Sequence, residues 1–146
     1  MPNYNNRPNN KQSYKGQENE AGIYNKIKDD LPLALDPDKD KDGEKLIHVT
    51  EELGKWFAEK DKVTISQIRK IYSYTRKLNV DKDDWKFRLK ILKAYLAYNA
   101  GKFSDFKNFK DVFTFAIDKV NDEKKLERFK NFFEAVIAYH KAYGGK

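Results

Sequence analysis

The sequence predicts an all-α protein: a compact five-helix bundle with a disordered N-terminal extension. Three observations predict it. From Leu46 onward, large apolar residues recur at i, i+3, i+4 spacing in one window after another. No window alternates with the two-residue period of a half-buried strand. Ten Phe, nine Tyr and two Trp in 146 residues supply enough apolar surface for one core in one domain.

Residues 1–20 are Asn-rich, hold two of the four prolines and have almost no aliphatic side chains. Such a segment cannot bury enough surface to offset its ordering entropy and is expected to be disordered. Residues 21–30 can form a short helix with little support. Residues 32–43, rich in Pro, Asp and Lys, read as a linker. Residues 1–43 are therefore assigned to a disordered extension and linker, and residues 44–146 to the helical domain.

The first domain helix, about 44–59, buries Leu46, Val49, Leu53, Trp56 and Phe57. Thr64 is the expected N-cap of the second, whose inner line is Ile65, Ile68, Tyr72 and Thr75, widened by Ile71 and Leu78. Asp83 is expected to cap the third, built on Trp85, Leu89, Leu92 and Leu96, flanked by Ile91 and Tyr95 and ended by Gly101 as a C′ glycine. Asp105 opens the fourth, through Phe106, Phe109, Phe113, Ile117 and Val120. The fifth runs from about Asp122 to Tyr143 on Leu126, Phe129, Phe133, Val136 and Ile137, and Gly144-Gly145 stops it. Loops of a few residues imply mostly antiparallel neighbours.

The net charge of +7 is unevenly distributed: residues 1–45 carry a net −1, whereas residues 62–102 hold 11 basic and 3 acidic side chains. A field so concentrated favours polyanions, nucleic acid before an anionic membrane surface. The absence of Cys excludes disulfides, thiolate catalysis and Cys-ligated metals. No secretory apolar region opens the chain and no apolar run approaches the roughly 20 residues that span a bilayer, so a soluble cytoplasmic protein is expected.

Nothing in the chain carries an enzyme reading. Asp38-Lys39-Asp40-Lys41-Asp42-Gly43 imitates the start of a calcium loop, but Val49 stands where a bidentate Glu is required and Lys45 where an apolar residue is, so it reads as a charged flexible linker. His48 and His140 lack a metal-binding or catalytic motif and read as packed or surface histidines. No phosphate-cradling glycine loop or nucleophile elbow occurs. The acids Asp83 and Asp84 are explained by the helix macrodipole. No cofactor and no metal are expected.

The basic residues give a stronger signal. Arg69, Ser73 and Arg76 repeat at i, i+4, i+7, with Lys70, Tyr74 and Lys77 as a parallel stripe, and Lys86, Lys90 and Lys93 repeat the spacing on the next helix. Neighbours three to four residues apart on a helix lie about 5–6 Å from one another, so such rows can neutralise successive phosphates and release counterions. A solvated face would intersperse acids, yet none occurs between Lys62 and Leu78. Arg, which forks onto phosphate oxygens, lies inside the stripe. The expected activity is sequence-independent backbone binding from one continuous positive track. The competing expectation is a helical scaffold docking on an acidic protein without touching RNA.

Three stretches, in order, resemble one family. Lys62-Val63-Thr64-Ile65-Ser66-Gln67-Ile68-Arg69-Lys70 is similar to the K-x-T-x-S-Q-I-R signature of the small subunit of the type III-A CRISPR effector (Csm) complex. Leu96-Ala97-Tyr98-Asn99-Ala100-Gly101-Lys102 resembles its L-A-Y-x-A-G-[RK] segment, and residues 132–145 resemble its C-terminal E-A-x-x-A-Y-[HF]-K-x-Y-G-G helix. The resemblance implies a five-helix, non-catalytic, cytoplasmic RNA-binding subunit of an antiviral complex, stacked with further copies of itself and other Csm subunits along a groove holding guide RNA and target RNA. Carried over by motif, Lys62, Gln67, Arg69 and Lys70 face RNA, with Lys93 and Lys102 next; Arg76, Lys77, Lys86 and Lys90 come from the stripes. Tyr98, Ala100 and Gly101 read as packing and helix-end residues.

Overall fold

The structure, a computed structural model, describes residues 22–146. The Asn-rich segment expected to be disordered lies outside the described residues. These form seven α-helices and no strand: α1 Gly22–Ile27, α2 Leu31–Ala34, α3 Glu44–Glu59, α4 Ile65–Arg76, α5 Trp85–Lys102, α6 Lys107–Asp118 and α7 Glu123–Ala142. A 3-10 turn, Ser104–Phe106, leads into α6 where the sequence predicts that Asp105 opens the helix itself. The all-α class holds, but five helices is not the count, because α1 and α2 are added.

Local chemistry sets several helix ends. Thr64 Oγ1 accepts from the Gln67 N–H at 3.2 Å while Gln67 Oε1 accepts from the Thr64 N–H at 2.9 Å, a reciprocal cap that fixes the start of α4. Asp122 caps α7 through the Lys125 N–H at 2.8 Å. Asp83 does not cap α5. Asp84 directly precedes the helix, and its carboxylate goes to Arg88 Nε at 2.7 Å instead of to the backbone. Gly101 is no C′ residue: α5 runs one residue past it, and Gly43 and Gly144 are the described glycines with positive φ.

The core is aromatic. Phe109 stacks on Phe113 at 4.2 Å, Phe113 meets Phe133 at 4.5 Å, and Phe57 closes on Phe109 at 5.0 Å, so α3, α6 and α7 share one centre. Helices α3 and α7 run antiparallel: Glu51 accepts from the Tyr143 hydroxyl at 2.6 Å and Gly54 lies against Tyr139 and His140. A Cβ on Gly54 would stand 2.5 Å from Tyr139 Cβ and 2.7 Å from the His140 backbone nitrogen, so this close approach needs glycine.

Helix α1 falls within the short helix expected over residues 21–30, though it is well supported, and residues 32–43 depart from the expected linker. Ile23, Ile27, Leu31, Ala34 and Leu35 are buried in the core. Asp40, read as part of a flexible charged loop, is buried too. Its carboxylate accepts from the Lys45 and Leu46 N–H groups at 3.0 and 2.9 Å, capping α3 where Gly43, at φ 78°, has no side chain to do so. Arg128 on α7 binds Asp40 Oδ2 at 3.0 Å, the Asp40 carbonyl at 2.8 Å and the Ala34 carbonyl at 3.0 Å. Burial alone would raise the Asp40 carboxyl, but the two backbone donors and the guanidinium outweigh it and hold its pKa below the ordinary carboxylate value.

Candidate nucleic-acid interface

Helices α4 and α5 form one outer face of the bundle. The buried line of α4 is Ile68, Ile71 and Thr75; that of α5 is Trp85, Leu89, Leu92, Leu96 and Asn99. Two ring contacts orient α4. Tyr72 packs on Phe133 of α7, marking one flank, and Tyr74 stacks on Tyr95 of α5 at 4.6 Å, marking the other. Residues three and four apart share a flank. Arg69 and Arg76 therefore run with Tyr72 toward α7, and Lys70 and Lys77 run with Tyr74 toward α5. The electrostatics around Tyr72 agree: burial and then the Glu134 carboxylate push its phenol up, and Arg76 opposes them.

The same reasoning orients α5. Lys93 pairs with Asp118, which marks the α6 flank and is shared by Lys90 and Lys86. Tyr95 marks the α4 flank. Between the two lies the row Phe87, Ile91, Ala94, Tyr98, with Phe87 65% and Tyr98 64% exposed. The cations therefore do not form one continuous track. Lys70 and Lys77 make one rail, Lys86 and Lys90 another, and an aromatic band of Tyr74, Tyr95, Tyr98 and Phe87 separates them. Lys70, Ile71, Tyr74, Tyr95, Tyr98 and Asn99 line a shallow hollow at the helix junction. Lys102 caps the band at one end, its ammonium 6.0 Å from the Tyr98 ring and 5.4 Å from Phe103.

The predicted residues divide accordingly. Lys70, Lys77, Lys86, Lys90 and Lys102 are exposed on the α4–α5 face, and among the described residues none is paired with a carboxylate. Arg69 and Arg76 are exposed on the α7 side of α4. Gln67 is engaged in the α4 cap. Lys93 is half-buried and tied to Asp118. Lys62 stands at the entry to α4 with φ 56°, an uncommon backbone for a non-glycine residue. It shares a small hollow with Thr64, Gly144 and Lys146.

The sequence reading missed the aromatic band. Phe87 raised no signal there, Tyr95 was read as flanking the core, and Tyr98, expected to pack, is instead open to solvent. Apolar residues all round a helix were the available clue: α5 has a Trp/Leu line on one side and a Phe/Tyr line on the other.

Two other features are structural. His140, fully buried, donates from Nε2 to the Val63 carbonyl at 2.6 Å, fastening the α3–α4 loop to α7, and Gly145 lies against its ring. Burial lowers its pKa below the usual 6.5, and Nδ1 has no hydrogen-bond partner among the described residues. A groove between α1 and α6 is lined in part by Asp61, Asp111 and Asp118. Burial raises the Asp61 carboxyl against two hydrogen bonds from Asn108. Its carboxylates oppose a polyanion, so it is a poorer candidate than the α4–α5 face. Among the described residues no group of three or more His, Asp or Glu side chains could hold a metal, and no helix is long and apolar enough to cross a membrane.

A model of the Csm2 type III-A family matches residues 40–146. A curated relative from Streptococcus thermophilus, named CRISPR system Cms protein Csm2, is 33% identical over 91 residues, covering 58% of this chain and 75% of the relative. No solved structure matches the chain.

Proposed function

The chain belongs to the type III-A Csm2 family, the small subunit of the Csm complex, and from that premise we propose that it is a non-catalytic, cytoplasmic RNA-holding subunit. In this reading it lines the groove of the guide-RNA/target-RNA duplex and makes sequence-independent contacts to phosphates. Its partners are those RNAs, other Csm subunits and further copies of itself. The RNA-binding unit is the bundle of residues 44–146 with the Ile23–Asp40 segment packed on it.

One observation carries the reading. Lys70, Lys77, Lys86 and Lys90 are exposed on one face with no carboxylate partner among the described residues, although the chain holds 23 Asp and Glu. Cations left unpaired in a chain with so many acids are free to replace counterions on a polyanion.

The double charge reversal K70E/K90E in the assembled complex tests it. RNA retention at about 100 mM salt is expected to fall roughly ten-fold or more, with a shallower salt dependence and unchanged helicity. The control R69E/R76E, on the α7 side of α4, is expected to do less. Unchanged retention by K70E/K90E overturns the reading, and co-purification with an acidic protein but no RNA would put a docking scaffold in its place.

A further inference from the structure

Exposed aromatic rings are costly to leave in water, and α4–α5 leaves several on the face that also carries the unpaired lysines. Tyr98 and Phe87 are nearly two-thirds exposed, and Tyr74 and Tyr95, stacked on each other, are 39% and 38% exposed. None of the four belongs to the buried core. Phosphate binding alone needs no aromatic residue, because phosphates carry no apolar surface.

We infer that the aromatic band between the two lysine rails is a stacking platform for unpaired bases of single-stranded RNA. This rests on the RNA-binding reading above and adds a ligand state to it: nucleotides whose bases are not stacked within a duplex. The chemistry fits at three points. Base–aromatic stacking tolerates any base, because every base has a π-face, and so matches a face without a base-reading motif. A base laid on Tyr98 would carry its phosphates toward Lys102 or Lys70 on one side and Lys90 on the other. Phe87 and Tyr98 lie 11 positions apart, about 16 Å along the helix, room for separate nucleotides on the two rings.

A protein partner is the other class of occupant that exposed rings could suit. Charge favours RNA, because Lys70, Lys77, Lys90 and Lys102 border the rings without a carboxylate partner among the described residues, and each nucleotide stacked on a ring brings a phosphate of its own to them.

Binding of the purified full chain to three probes at low salt decides the matter: a ten-nucleotide adenosine RNA, an abasic ribose-phosphate strand of equal length, and a blunt RNA duplex. The adenosine strand is expected to bind about ten-fold tighter than the abasic one, within the range one aromatic platform supplies per base. F87A/Y98A, with helicity checked by circular dichroism, is expected to bring the adenosine strand down to the abasic level without changing the salt dependence. K70E/K90E is expected to weaken all three probes alike. Equal binding of adenosine and abasic strands, or an F87A/Y98A variant that keeps the difference, overturns stacking and leaves phosphate binding standing. Failure of the wild-type chain to bind any probe overturns both. A change in sedimenting mass on F87A/Y98A with RNA binding intact overturns stacking in favour of a protein contact.

Discussion

The α3–α7 seam and the α4–α5 face are built from the same residue types to opposite ends. At and beside the seam, charge and aromatic rings are turned inward and satisfied: Arg128 of α7 closes on Asp40, just before α3, and on two carbonyls, and the phenylalanines of α6 and α7 meet ring to ring. On the face, Lys70, Lys77, Lys86, Lys90 and Lys102 lack acidic partners among the described residues, and the rings of Phe87 and Tyr98 are open to solvent. If the α4–α5 face is the RNA-holding surface proposed above, stability and recognition are segregated by helix pair, and substitutions on one side should leave the other nearly untouched.

The two most damaging tests are Gly54→Ala and Arg128→Met. At Gly54 the new methyl gains about 1 kcal/mol of helix propensity, but it stands 2.5 Å from Tyr139 Cβ and close to backbone that cannot yield cheaply. Overpacking of this kind costs about 3 kcal/mol. A net loss of about 2 kcal/mol or more in urea unfolding is expected, and a stabilised variant would show that the seam is not tight. Arg128→Met should be of similar size, about 3 kcal/mol, because it strands a buried carboxylate. D40N/R128M should recover part of that loss, since it removes the stranded charge.

Acid sharpens the comparison further. The folded-state pKa of His140 lies below 6.5 while the unfolded value is the ordinary one, so below about pH 6.5 the unfolded chain binds more protons. Stability should therefore fall as the pH drops from 7 through 6.5, with a slope of at most about 1.4 kcal/mol per pH unit for this one proton. His140→Gln should flatten that limb. Asp40 adds a second loss only at lower pH, below the ordinary value of 3.8, as its depressed carboxyl is protonated. The smallest effects on stability belong to the face. Lys90→Ala and Tyr98→Ala should each shift unfolding by no more than about 0.5 kcal/mol, and a loss of 2 kcal/mol at Tyr98 would return it to the packing role first expected of it.

What could be read from the sequence was what neighbouring residues decide. The five longer helices follow from apolar spacing, and the cap at Thr64 from a side chain acting three residues ahead. The Asp40 clamp could not be read this way, because its partner lies 88 residues away and nothing local distinguishes Asp40 from Asp38 or Asp42. Gly101 was misplaced because a glycine signal cannot by itself separate a helix end from a last turn. At the site, sequence spacing identified the cations but not their neighbours across helices: that Arg69 leans toward α7 and Lys70 toward α5 is decided by Tyr72–Phe133 and Tyr74–Tyr95, which are tertiary contacts.

Gly145 is packed so closely on the His140 ring that a Cβ there would fall 2.1 Å from Cε1. Gly145 is thus a lid on the imidazole that anchors the entrance of α4. A truncated variant ending at Gly144 would let water reach that ring and raise its affinity for protons. The same cut would slacken the tether on Val63, so trimming two residues outside every helix would loosen the hinge from which the lysine-bearing helix departs.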